Sequence, residues 1–162
     1  MDKLHYYTIT VEWTGNVGLG TSAYTSYKRS HTISSENKNP IEASSDPAFR
    51  GDRSKYNPEE LLVASLSSCH MLWYLHLCSD AGIIVTAYHD NATGQMLENK
   101  SGGKFKEVTL SPVVSVADES MIAKSIELHN AAHNLCYIAN SVNFPVRCNP
   151  HSYQSTLDPT IK

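Results

Sequence analysis

The groups in this chain best suited to chemistry are its four cysteines, Cys69, Cys78, Cys136 and Cys148, set among eight histidines. Cys69 falls in the middle of an apolar helical segment, Asn57 to Cys78. Cys136 lies on the apolar stripe of the other long helical segment. Two buried helices in one small domain must pack together, and thiols at such a contact can close a reversible disulfide if their Cα atoms come within about 7 Å. Such a pair can reduce a peroxide: one thiolate attacks an oxygen and becomes a sulfenic acid, and the second thiol condenses with it. That chemistry needs a cation beside the thiolate, and Arg50, Arg53 and Arg29 are the candidates. Glu59 stands ten residues before Cys69, about 15 Å along a straight helix. It is therefore out of reach of its own Cys69. It could serve a partner's Cys69 if the helix packs antiparallel against its copy about a twofold axis, where an Arg–Glu pair would fix the guanidinium geometry. The plain alternatives are a small core cysteine and an ordinary acidic helix start.

A rival constellation is His129, His133 and Cys136. The histidines are four apart on one helix face and the cysteine follows one turn later, a spacing that can hold zinc. His70, beside Cys69, could supply a fourth ligand. No glutamate follows His129, so this is not the metalloprotease motif. Histidines on helix faces are commonly exposed or satisfied in the core, so zinc is the lesser alternative and no resident cofactor is expected. Cys78 and Cys148 have no matching partner spacing and read as structural thiols. Gly18-Leu19-Gly20 sits between strands rather than before a helix, so it is not a phosphate loop.

Composition narrows the class. With 41% hydrophobic and 18% charged residues, the chain reads as one ordinary globular domain, 1–162. A net charge of −3 gives a nucleic-acid partner no electrostatic support. Met1 to His5 carries no apolar signal core, so export is not expected. Cysteines in a reducing compartment are catalytic, metal-binding or buried more often than disulfide-bonded, and a cytoplasmic location is expected. Leu61 to Leu77 is apolar nearly all round, which reads as a buried helix. It looks too short and too polar for a membrane span.

The elements that position these groups follow from patterning. His5 to Trp13 alternates, with Tyr7, Ile9, Val11 and Trp13 on one face, which predicts a half-buried strand. Gly15 to Gly20 supplies a hairpin turn, and Thr21 to Ile33 reads as a second strand that places Arg29 and His31 on one face. Ser34 to Tyr56 is a long polar loop, with an edge strand near Ile41. Asn57 and Pro58 are the N-cap and first position of the core helix. Ala81-Gly82 ends it. A strand from Ile83 is expected to run on to Leu97, with a turn at Glu98 to Gly103 and a return strand over Lys104 to Val116. Pro112 in that return marks a bulge or edge. Asp118 caps a second helix whose stripe includes Met121, Ile126, His129, His133 and Cys136 and which ends over Asn140 to Asn143. Phe144 to Cys148 and Tyr153 to Leu157 suggest a final strand and tail. The class is α+β.

At these residues the sequence resembles the OsmC/Ohr family. Asn57-Pro58-Glu59-Glu60-Leu61-Leu62, with a cysteine ten residues after Glu59, is similar to that family's signature. Cys136-Tyr137-Ile138-Ala139-Asn140 falls where the family has its second cysteine. The resemblance implies an α+β OsmC-like fold: antiparallel sheets, two central buried helices, and an intertwined homodimer with active sites at the interface. It implies a thiol-dependent peroxidase for organic hydroperoxides, recycled by an external thiol reductant; from charge and helix composition, no nucleic-acid or membrane partner is expected. Carried over, Cys69 is the peroxidatic cysteine, Cys136 the resolving one, and Glu59 the partner of a catalytic arginine. Arg50 is placed as in OsmC-type members, with Arg53 next; Arg29 is nearest to the Ohr-type position. Met71, Trp73 and Tyr74 near the thiol would favour an apolar peroxide. His70 and Tyr137 depart from the residues usual after the two cysteines, which marks a divergent branch. A histidine beside the thiolate could lower its pKa or move a proton. The alternative on the same fold is a redox-sensing or ligand-binding protein in which His70, His133 and the cysteines hold a metal or small molecule.

Overall fold

Asn57 starts the main helix by a reciprocal cap. Its Oδ1 accepts from the Glu60 N–H at 2.8 Å, and its own N–H donates to Glu60 Oε2 at 3.1 Å, so two otherwise orphaned donors are satisfied. The computed structural model describes residues 3–155. In it the elements run β1 (Thr10–Trp13), β2 (His31–Ser34), β3 (Ile41–Ala43), α1 (Pro58–Asp80), β4 (Val85–Asp90), β5 (Thr93–Asn99), β6 (Gly102–Leu110), β7 (Pro112–Val116), α2 (Ile122–Leu135), β8 (Val146–Cys148) and β9 (His151–Gln154). Two compact units divide at Leu61/Leu62, and α1 runs through the division.

The first unit carries the antiparallel sheet β1-β2-β3. Its strands are shorter than the patterning predicts. Thr21 to Ser30 forms turns rather than strand, because the Trp13 indole N–H donates to Lys28 O at 2.9 Å and Arg29 ties back to Tyr24 and Tyr27. Arg29 therefore shares no strand face with His31. The expected buried face of β1 is uncovered: Ile9 is 64% and Val11 59% exposed. Before α1, Asp46 caps a short 3-10 turn over Pro47–Phe49, and Arg50 follows in the left-handed region at φ 66°. Gly51 is required there, since a Cβ would lie 1.6 Å from the Ser45 carbonyl oxygen.

The second unit holds two three-stranded sheets, β4-β7-β9 and β5-β6-β8. The expected continuous strand from Ile83 to Leu97 is two strands in different sheets, and so is Lys104 to Val116. The chain changes sheet at Asn91-Ala92 and again at Ser111, and Asp90 pins both crossings. Its Oδ1 accepts from the Ser111 N–H at 2.7 Å and its Oδ2 from Ser67 Oγ at 2.5 Å. Only β4·β7 and β5·β6 are antiparallel; β6·β8 and β7·β9 are parallel, so the sheets are mixed rather than antiparallel. Of the expected final tail, β9 ends at Gln154, and Leu157 lies outside the described residues.

α1 does not bury every face. Its buried residues are Leu66, His70, Tyr74 and Cys78, one line at four-residue spacing, while Leu72 is 63% exposed. Among the described residues it is the one helix long and apolar enough to cross a membrane, contrary to the expectation from its central segment, because the helix extends to 23 residues. Leu66 packs into a cluster with Val108 and Leu110, and Tyr74 and Cys78 into another with Val114, Val116, Leu128 and Ala132. Removing the fully buried Leu66 side chain leaves a cavity between α1 and β6. Leu66→Ala is expected to lower unfolding free energy by about 2–5 kcal/mol, read as a reduced urea midpoint at unchanged slope.

Candidate functional site

Two groups of reactive side chains meet within the second unit. The first is the thiol pair. Cys69 is half-buried on α1, one residue from the buried stripe. Cys136 is 1% exposed and is not inside α2 but ends it, four residues or more before the expected terminus. Its backbone turns extended at φ −68°, ψ 105°, and its N–H donates to His133 O. The following turn brings the Ala139 N–H to Cys136 Sγ at 3.5 Å. Burial pushes the Cys136 thiol up to about 11; the Ala139 N–H opposes that, and the adjacent Cys69 thiol adds to it. The two thiols are thus neighbours in unlike environments. Beside them the Trp73 ring meets Tyr137 edge-on at 5.5 Å, and Leu72, Trp73 and His76 line a shallow apolar cavity. Tyr74, expected near the thiol, instead stacks on His129 at 3.9 Å between ring centroids.

The expected charged partners belong to the first unit or its boundary. Glu60 is occupied by the helix cap, which leaves Glu59 as the uncommitted carboxylate of that first turn. Arg29 is committed to its own loop: it donates to Tyr27 O at 2.7 Å and Tyr24 O at 2.8 Å, and its guanidinium lies 4.2 Å from both tyrosine ring centroids. Arg50 and Arg53 are exposed, and among the described residues neither is in an ion pair.

The second group is a buried polar cluster. His70 Nε2 lies 2.9 Å from His129 Nδ1, and Cys148 Sγ lies 3.6 Å from the first and 4.0 Å from the second. The sequence grouping of His129, His133 and Cys136 is therefore not what the fold assembles: His70 and His129 do meet, but with Cys148, read above as merely structural. No local signal marks Cys148. The parallel pairing of β8 with β6, which sets Cys148 beside Leu110, brings it there. Burial lowers His70 to about 4, with Asp90 opposing and His133 adding. Burial, then the charge of His70, lowers His129 to about 3. Burial and then Asp90 push the Cys148 thiol up to about 12. Among the described residues, His70 Nδ1, His129 Nε2 and the Tyr74 and Tyr88 hydroxyls are buried without a hydrogen-bond partner.

Both imidazoles have lower pKa values folded than the ordinary 6.5. The unfolded chain then binds more protons as pH falls through that value, so stability is complete above it and declines below. In chelator-treated protein the urea midpoint is expected to fall between about pH 6.5 and pH 4, and to fall less in His129→Gln. A midpoint equally steep in both proteins would show that the imidazoles do not set this dependence.

A family model described as OsmC-like protein matches residues 51–150. An OsmC-like protein of unknown function from Vibrio cholerae is similar in structure, with TM-score 0.79 and 31% identity over 91% of this chain and 99% of that one. An organic hydroperoxide resistance protein from Elizabethkingia anophelis shares the fold at TM-score 0.68 and 22% identity, covering 94% of this chain and 100% of that one. An organic hydroperoxide resistance protein OsmC from Legionella pneumophila does so at TM-score 0.67 and 14% identity, covering 93% and 98%. No curated protein matches the sequence.

Proposed function

The chain belongs to the family of OsmC-like proteins, and from that premise we propose that it is a thiol-dependent peroxidase that reduces organic hydroperoxides. The observation that carries this reading is the proximity of a half-buried Cys69 to a buried Cys136 that the turn at the end of α2 places there and whose thiol is held protonated. The half-buried sulfur is the attacking thiolate. It takes the terminal oxygen of the hydroperoxide, the O–O bond breaks, and the alkoxide leaves as an alcohol after gaining a proton. The resulting sulfenic acid condenses with the Cys136 thiol, releasing water and forming a disulfide. An external dithiol returns both cysteines to the reduced state. A reducing compartment suits four cysteines that are all free.

Arg50, with Arg53 as the alternative, holds the thiolate, and Glu59 orients the guanidinium. Arg29 is the weaker candidate, since its donors are already used. Glu59 acts across a homodimer, because about 15 Å of helix separates it from its own Cys69. The uncovered apolar surface supports that assembly: only 22% of the most apolar stretch of α1 is buried within one chain, and β1 is exposed throughout. The cavity wall of Leu72 and Trp73 favours an apolar hydroperoxide over hydrogen peroxide.

The test is dithiol-dependent consumption of cumene hydroperoxide and hydrogen peroxide. Wild type is expected to prefer the organic peroxide, and Cys69→Ser to abolish turnover. Cys136→Ser is expected to stop after one equivalent, with a sulfenic acid on Cys69 that a cyclic diketone traps. Turnover that survives Cys69→Ser would reject the mechanism.

A further inference from the structure

The polar cluster in the second unit has the geometry of a metal site, and the peroxidase reading does not use it. Three ligand atoms converge from three elements: His70 Nε2 from α1, His129 Nδ1 from α2, and Cys148 Sγ from the end of β8. All three lie within 4.8 Å of one another, with edges of 2.9, 3.6 and 4.0 Å. A tetrahedral zinc ion, with Zn–N near 2.0–2.1 Å and Zn–S near 2.3 Å, sets edges of about 3.3 Å between nitrogens and about 3.6 Å from nitrogen to sulfur. The observed triangle needs shifts of only a few tenths of an ångström to meet those values.

Protein groups alone satisfy the cluster poorly. One proton can lie between His70 Nε2 and His129 Nδ1, and whichever ring donates it cannot accept from the Cys148 thiol at the same atom. Both imidazoles are 1% exposed, and a buried polar group without a partner costs folding energy. An apolar trio would fill the same volume without that cost. A cation bound by all three atoms satisfies them together.

We propose that His70, His129 and Cys148 bind one zinc ion, which clamps α1, α2 and β8 together. The two imidazoles bind as neutral rings, their remaining protons on His70 Nδ1 and His129 Nε2. Cys148 binds as the thiolate and releases its proton to solvent. The charge then balances: the dication is met by the Cys148 thiolate and by the Asp90 carboxylate, whose charge bears on both His70 and Cys148. Asp90 is itself fixed by Ser67 and by the Ser111 N–H, so its charge is held in place near the cluster. The fourth position is left for water. Two imidazoles and one thiolate suit a borderline-soft ion such as zinc and do not suit calcium or magnesium.

The test uses the full chain, stripped with chelator under reducing conditions and titrated with Co2+ as a spectroscopic stand-in, then with Zn2+. In the Cys69→Ser/Cys136→Ser double variant, one equivalent of Co2+ is expected to give a near-ultraviolet thiolate charge-transfer band, and Zn2+ to displace it. In Cys148→Ser the band is expected to vanish and Zn2+ affinity to fall by more than the roughly 10–100-fold that loss of an outer partner costs. Because Cys148→Ser could fail to fold, alkylation of wild type is followed alongside: Zn2+ is expected to slow modification of Cys148 at least about tenfold and leave Cys69 unchanged. A band lost in the double variant but kept in Cys148→Ser would place the metal on the thiol pair and overturn the proposal. So would the absence of stoichiometric uptake, or Cys148 alkylation indifferent to Zn2+.

Discussion

The line Leu66, His70, Tyr74 and Cys78 along α1 is the constraint on which the second unit depends. Residues four apart on a helix stack into one narrow stripe. Here the two ends of that stripe are apolar and its middle is a histidine. Leu66 meets β6 through Val108 and Leu110; Tyr74 and Cys78 meet β7 and α2 through Val114, Val116, Leu128 and Ala132. The core is therefore two apolar clusters with an imidazole between them, and His129, Cys148 and Tyr74 gather around that imidazole. Because interiors are close-packed, the polar middle is held in place by the apolar packing on either side of it.

Asp90 ties this helix to the sheets. Its two oxygens hold Ser67 of α1 and the Ser111 N–H at the point where the chain passes from one sheet to the other. The crossing leaves Leu110 and Pro112 in different sheets and lets β8 and β9 pair in parallel with β6 and β7. Cys148, at the end of β8, reaches the histidines only because of that parallel pairing. One carboxylate thus serves the topology and also lends its charge to the cluster.

The thiol pair depends on a different local event, the end of α2. Had the helix continued to Asn140, Cys136 would have been one more residue on a stripe. Instead its backbone turns extended, and the turn that follows folds the Ala139 N–H back on its sulfur. Burial keeps this thiol protonated while Cys69 stays partly open to solvent. In the peroxidase mechanism proposed above, that asymmetry assigns the open sulfur to attack and the buried, protonated thiol to capture of the oxidised product.

The helix start at Asn57-Pro58, the order of the helices among the strands and the α+β class were legible in the sequence, because caps, turns and apolar periodicity act over a few residues. The family resemblance rested on the same short-range motifs. Patterning misjudged the extent of burial: α1 is apolar on every face, and β1 alternates, yet within one chain α1 fully buries only one stripe and β1 is exposed throughout. Hydropathy records what a surface needs, not whether the same chain supplies its cover. The single strands read over Ile83 to Leu97 and Lys104 to Val116 were each two, since β-propensity does not say which neighbour a strand will pair with. The meeting of His70, His129 and Cys148 was out of reach altogether. Those residues are 59 and 19 positions apart along the chain, and only the packing of two helices against a parallel strand pair brings their ligand atoms to one point.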